Sequence, residues 1–192
     1  MNVLVAKTIA ELERDPKTVR WKGGPEALSD EVVRAEFTTV FVKGVFFLEK
    51  LSYIVETKLA AGELAGGRLF VGYQSFANLV ARRDRYEAID GTDNRMWAYG
   101  HDDPRGWPYP HITPVRYTED DPLVRTWFIV YDHPATSYTL AAIGHKSSGA
   151  GGRKFIRFKG FWSTQAVIAQ QLGRYLERVV NPQYLAEPGP RG

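Results

Sequence analysis

Residues Arg68 to Tyr86 read RLFVGYQSFANLVARRDRY, and the hydrophobic period changes in the middle of this stretch. Leu69, Phe70, Val71 and Tyr73 form a short apolar run suited to a buried strand. Phe76, Leu79, Val80 and Tyr86 then recur at helical spacing, with Arg82, Arg83, Asp84 and Arg85 among them. The switch falls on Gln74 and Ser75. Serine is a good helix N-cap, and a polar residue at the carboxyl end of a strand stands where open α/β sheets usually bind ligands. After the GTDN turn a second strand, RMWAYG (Arg95 to Gly100), completes a strand–helix–strand unit.

Working outward toward the N-terminus, Thr8 to Arg14 reads as one or two helical turns and Lys17 to Lys22 as a strand, broken at Gly23-Gly24-Pro25. From Glu26 to Ala61 the apolar spacing predicts a long helix with a break near Gly44. The piece TTVFV within it has strand propensity, but the helical spacing runs through it. Toward the C-terminus, HDDPRGWPYPHITP is a long loop of the kind that forms lids or walls. Ile112 to Thr118 follows as an edge strand, because Pro114 argues against a central position. Thr126 to Tyr131, Tyr138 to Gly144 and Lys154 to Phe161 are three further strands joined by turns, which predicts antiparallel pairing. A last helix starts near Ser163 and stops at Asn181-Pro182.

The order predicts an α/β fold: one mixed parallel and antiparallel sheet of about six to seven strands, flanked by helices. Residues 1–36 supply a helix, a strand and the start of the long helix. Residues 37–180 form the body of the same domain, and 181–192 are expected to be a disordered tail.

The 192 residues suffice for one sizeable core. The chain has no cysteine, which excludes disulfides, thiolate nucleophiles and cysteine zinc sites. The net charge of +3 tolerates an acidic partner without singling one out. No leader pattern and no apolar run of about 18 residues is present, so the expectation is a cytoplasmic chain with no membrane partner.

Several motifs fail on spacing. SSGAGGRK is followed by a strand, whereas a phosphate loop opens a helix. His101, His111, His133 and His145 show no metal-ligand spacing, so no metal is assigned. Gly72-Tyr73-Gln74-Ser75-Phe76 lacks the second glycine of a nucleophile elbow, so no catalytic residue is assigned and no enzyme activity is expected. No covalent cofactor motif occurs, and the cofactor is left unknown.

Two groups of residues remain as site candidates. Gln74 would be a polar contact in an apolar pocket walled by Phe76, Tyr99, Trp127 and Trp162, with Trp107 on the loop as its lid. Arg82, Arg83 and Arg85, with Arg153 and Lys154 of RKFIRFK, would meet nucleic acid or a partner, although solvated arginines explain them as simply.

The runs LFVGYQSF, MWAYG, TWFIVYDHPATSYTLAA and KGFWSTQAVI, with LEKLSYIVE upstream, resemble the DICT sensory domain over roughly Phe37 to Val180. The resemblance implies a non-catalytic bacterial or archaeal signal-input domain. Such a domain would bind a small ligand or a partner protein and pass a signal to a separate output protein. It also makes a protein partner or homo-oligomer the expected partner and leaves nucleic acid disfavoured. The alternatives are an assembly subunit acting through protein contacts, and a nucleic-acid-binding protein using basic strand and helix faces.

Overall fold

The computed structural model describes residues 2–14, 19–20, 39–148 and 154–179. Helix α1 (Asn2–Arg14) and strand β1 (Val19–Arg20) precede β2 (Thr39–Lys43) and α2 (Val45–Ala60). Strand β3 (Arg68–Gly72) leads through α3 (Phe76–Val80) and α4 (Arg83–Asp90) to β4 (Arg95–Gly100) and β5 (Ile112–Arg116). A 3₁₀ turn (Pro122–Arg125) opens the meander β6 (Thr126–Asp132), β7 (Tyr138–Ser148) and β8 (Lys154–Ser163), and α5 (Ala166–Val179) closes the fold.

The strands form one mixed sheet in the order β1-β2-β8-β7-β6-β3-β4-β5. Pairs β1/β2, β3/β4 and β4/β5 are parallel, and the other four are antiparallel. The α/β architecture and the mixed sheet agree with the sequence reading; the two-residue β1 brings the strand count to eight. Each face carries its own core. Leu69, Val71, Ile129 and Trp162 point to one face, under α2, α3 and α4. Phe70, Phe128, Val130 and Phe161 point to the other, under α1 and α5. β6 is buried along its whole length, as expected of a central strand covered on both sides.

Two helix expectations need correction. Thr39–Lys43 is a strand: Val40 and Val42 enter one core and Phe41 the other, while the backbone pairs with β8. A strand buried on both faces has no polar alternation to announce it, so its apolar run merged with the helix that follows. Gly44, at φ 96°, makes the break, and its N–H donates to the Phe158 carbonyl at 3.1 Å. The helix expected between Phe76 and Tyr86 is two helices, turned at Ala81 and Arg82. The expected helix over 26–38, most of the 17–22 strand and the tail after 179 lie outside the described residues.

α2 is anchored through Glu56, which is fully buried. Its carboxylate accepts from the phenols of Tyr73, beyond β3, and of Tyr86 on α4, the latter at 3.0 Å, and pairs with the Arg85 guanidinium. Burial, and after it the adjacent Glu56 charge, push both phenols well above their ordinary range, so they stay protonated as donors. Trp127 on β6 extends this layer by donating from Nε1 to Ser52 Oγ at 3.1 Å.

Glu56→Ala would strand two phenols and a guanidinium without their acceptor. It is expected to cost about 3 kcal/mol or more in a urea denaturation series, and a loss below 1 kcal/mol would show the network to be incidental.

Candidate functional site

At the carboxyl end of β3 the chain turns sharply. Gln74 takes φ 69°, the one left-handed non-glycine residue among those described. Its carbonyl accepts from the Tyr117 phenol at 2.8 Å and from His101 N–H at 3.1 Å, and it also contacts His101 Nδ1. Ser75 caps α3 as expected, its Oγ accepting from Ala77 N–H at 3.0 Å. Asp102 lies over the same helix start and accepts from Ser75 Oγ (2.9 Å), Ala77 N–H (3.0 Å) and Phe76 N–H. Gly100 allows this approach: a Cβ there would come within 2.8 Å of Phe76 N. The place where an anionic ligand would be met is thus filled by the chain's own carboxylate.

The aromatic residues expected to wall a pocket do not converge. Tyr99 lies on the opposite face of the sheet from Phe76, Trp127 and Trp162, and it donates from its phenol to the Leu176 carbonyl at 3.1 Å. The other three are buried core, with Trp127 edge-on to Tyr73 and Phe158 and Trp162 beside Tyr138. Trp107 is half-buried; it packs on Phe76 and Tyr109 and donates to the Ile112 carbonyl at 2.8 Å. The long loop covers the domain's own core. A cleft of about 530 Å³ lies at the other end of the sheet, beside the ion-paired Lys58 and Glu63, and none of the expected wall residues lines it.

The arginines of the ARRDR run are engaged locally. Arg85 pairs with Glu56, and Arg83 pairs with Glu87 at 2.6 Å. Arg82 donates to the Asn78 carbonyl at 2.7 Å and lies 4.7 Å from the centre of the Tyr73 ring. Arg153 lies outside the described residues, and Lys154 opens β8.

The cationic feature that tertiary structure assembles is elsewhere, at one corner of the sheet. Lys43 on β2 is the direct register partner of Lys159 on β8. Both sit on the α1 side: Lys43 Nζ lies 5.2 Å from the Phe41 ring, and Lys159 Nζ contacts Glu13 of α1 at 3.0 Å. Two residues back along β8, on the same face, Arg157 pairs in register with His145 of β7. Exposed Lys146 follows on β7, and the backbone of exposed Arg125 passes beside Gly144. Sequence reasoning marked the basic run RKFIRFK, which contains Arg157 and Lys159, but singled out Arg153 and Lys154 from it and did not bring in Lys43 or His145. The alternation in FIRFK places Arg157 and Lys159 on one face; their neighbours across the sheet depend on register alone.

No family model and no curated protein matches the chain, so the DICT resemblance rests on the quoted motifs alone. The chain is similar to a solved structure of TrmBL2, an archaeal chromatin protein described as showing a novel mode of DNA binding. The identity is 6%, the TM-score is 0.42, and the match covers 76% of this chain and 53% of that one. This chain therefore spans about half the length of that protein. That description runs against the expected signalling function and against nucleic acid as a disfavoured partner, and both expectations are withdrawn. A likeness this distant carries no argument of its own, and the case for nucleic acid below rests on side chains. Among the described residues no helix is long and apolar enough to cross a membrane.

Two outcomes test the β3 corner. Burial is the largest single influence on Asp102 and raises its pKa, but the donors from Phe76, Ala77 and Ser75 together outweigh it and hold the carboxyl below its ordinary value. A depressed folded pKa contributes stability that is present above the unfolded value, about 4, and lost as pH falls through the folded one. Between pH 5 and pH 2.5 the native protein should therefore lose more stability than Asp102→Asn, and parallel melting curves would refute this role. Gln74→Gly should relieve the left-handed backbone and leave stability unchanged or raised by up to about 1 kcal/mol. A clear loss in thermal melting would instead assign the Gln74 side chain a structural task.

Proposed function

We propose that the protein binds nucleic acid through the cationic corner formed by Lys43, Lys159 and Arg157, with His145 beside Arg157. The observation that carries this reading is the direct opposition of Lys43 and Lys159 on one face of the sheet. Like charges placed opposite each other on neighbouring strands destabilise a sheet. Among the described residues, Glu13 pairs with Lys159. A polyanion laid across the corner would turn this repulsion into attraction and release its own counterions. The positions suit phosphate contact, since lysine and arginine on a rigid sheet hold register on a backbone without reading sequence. Arg82, Arg83 and Arg85, which the sequence offers first, are the weaker candidates because they are held within the helical layer by Asn78, Glu87 and Glu56, whereas Lys43 and Lys159 are set against each other by strand register.

The test is fluorescence anisotropy with labelled DNA and RNA across a salt series. Affinity should fall steeply with salt, and Lys43→Ala and Lys159→Ala should each lower the salt slope by about one. Arg83→Ala should leave the slope unchanged. Lys43→Ala should also stabilise the free protein by a few tenths of a kcal/mol at low salt, because it removes the like-charge contact. Absence of binding at low salt, or a slope indifferent to both lysines, would overturn the reading.

A further inference from the structure

Beyond the cationic corner the β7–β8 hairpin leaves the sheet. β6 stops pairing with β7 at Thr126 and Ile143, and β2 stops pairing with β8 at Lys43 and Lys159. From there residues 144–148 pair only with 154–158 among the described strands, apart from one hydrogen bond from Gly44 N–H to Phe158. The result is a two-stranded antiparallel ribbon about 17 Å long at roughly 3.4 Å per residue. Its backbone is about 5 Å across. His145 and Arg157 stand side by side on the face that continues from Lys43 and Lys159, whereas Lys146 and the half-exposed Ile156 stand on the other. Gly144 allows Ile156 to lie across the ribbon, since a Cβ there would meet its Cγ2 at 2.7 Å.

We infer that this ribbon enters the major groove of duplex DNA, with Arg157 and His145 toward the base edges and Lys43 and Lys159 on the phosphates at its root. The inference rests on the nucleic-acid reading and narrows it to one form. The major groove of B-form DNA is about 12 Å wide and admits a two-stranded ribbon, whereas that of A-form RNA is too deep and narrow. The placement of charge fits this docking: the cations at the ribbon's root lie on the same face as its outer pair, so one surface follows both the groove and its rim. Arginine is also the side chain best matched to the guanine O6 and N7 acceptors in that groove.

The experiment compares the full chain on a short guanine-containing DNA duplex, one of its single strands and the same sequence as duplex RNA, at fixed low salt. Dimethyl sulfate footprinting of the DNA duplex follows. Tightest binding to duplex DNA is expected, with guanine N7, a major-groove atom, protected from methylation. Arg157→Ala should weaken duplex binding about tenfold, with folding checked by thermal melting. If that variant does not fold, the footprint on the native protein decides. Equal or tighter binding to single strands or duplex RNA would overturn the groove assignment while leaving nucleic-acid binding intact. Protection of adenine N3 with N7 still reactive would do the same. Failure to bind any of the three would overturn both readings together.

Discussion

A buried carboxylate holds the helical layer to the sheet. Glu56 has no contact with solvent, and a charge in that position survives only if donors surround it. Those three donors come from two separate places in the chain, Tyr73 beyond β3 and the adjacent Arg85 and Tyr86 on α4, and all meet α2. Each is far from Glu56 in sequence, so the network closes only when the helices have docked. Hydrophobic burial alone would let α2 slide along the apolar surface made by Leu69, Val71 and Ile129. The four polar groups restrict it to one position.

The same helical layer accounts for the arginine-rich run at the start of α4. In the linear chain these residues look like a basic patch. In the folded protein one is a core counter-ion, a second closes a pair with Glu87 one turn further along α4, and a third lies against Tyr73. All three are tied to the helical layer, and Arg85 is spent on a buried carboxylate. At the sheet corner the relation is reversed. Lys43 and Lys159 come from strands 116 residues apart, and their juxtaposition follows from the pairing of β2 with β8. Lys43 and Lys159 stand together there beside Glu13, while the helices over the opposite face mix both signs.

The turn at Gln74 is a second departure from local preference. A glutamine held at positive φ is disfavoured in isolation, and here Tyr117 and His101 fasten its carbonyl while Asp102 fastens the helix start beyond it. The contacts come from the ends of β4 and β5, so these two parallel strands lock the turn that leaves β3. The geometry resembles a ligand site because such corners expose helix N–H groups. It holds an aspartate from its own chain instead.

Most of the architecture was legible in the sequence. The strands at Arg68–Gly72, Arg95–Gly100 and Thr126–Asp132, the edge position of the Pro114 strand, the Ser75 cap and the antiparallel meander follow from apolar period, turn composition and the chemistry of proline and serine. These are local properties, written within a few residues of where they act. The strand at Thr39–Lys43 was not legible, because burial on both faces removes the alternation that identifies strands. The site was not legible either. Whether Tyr99 shares a face with Trp127, whether Arg85 is free or spent on Glu56, and which cation stands opposite Lys159 are all set by sheet order and register. Those depend on contacts between distant segments, and only the tertiary structure decides them.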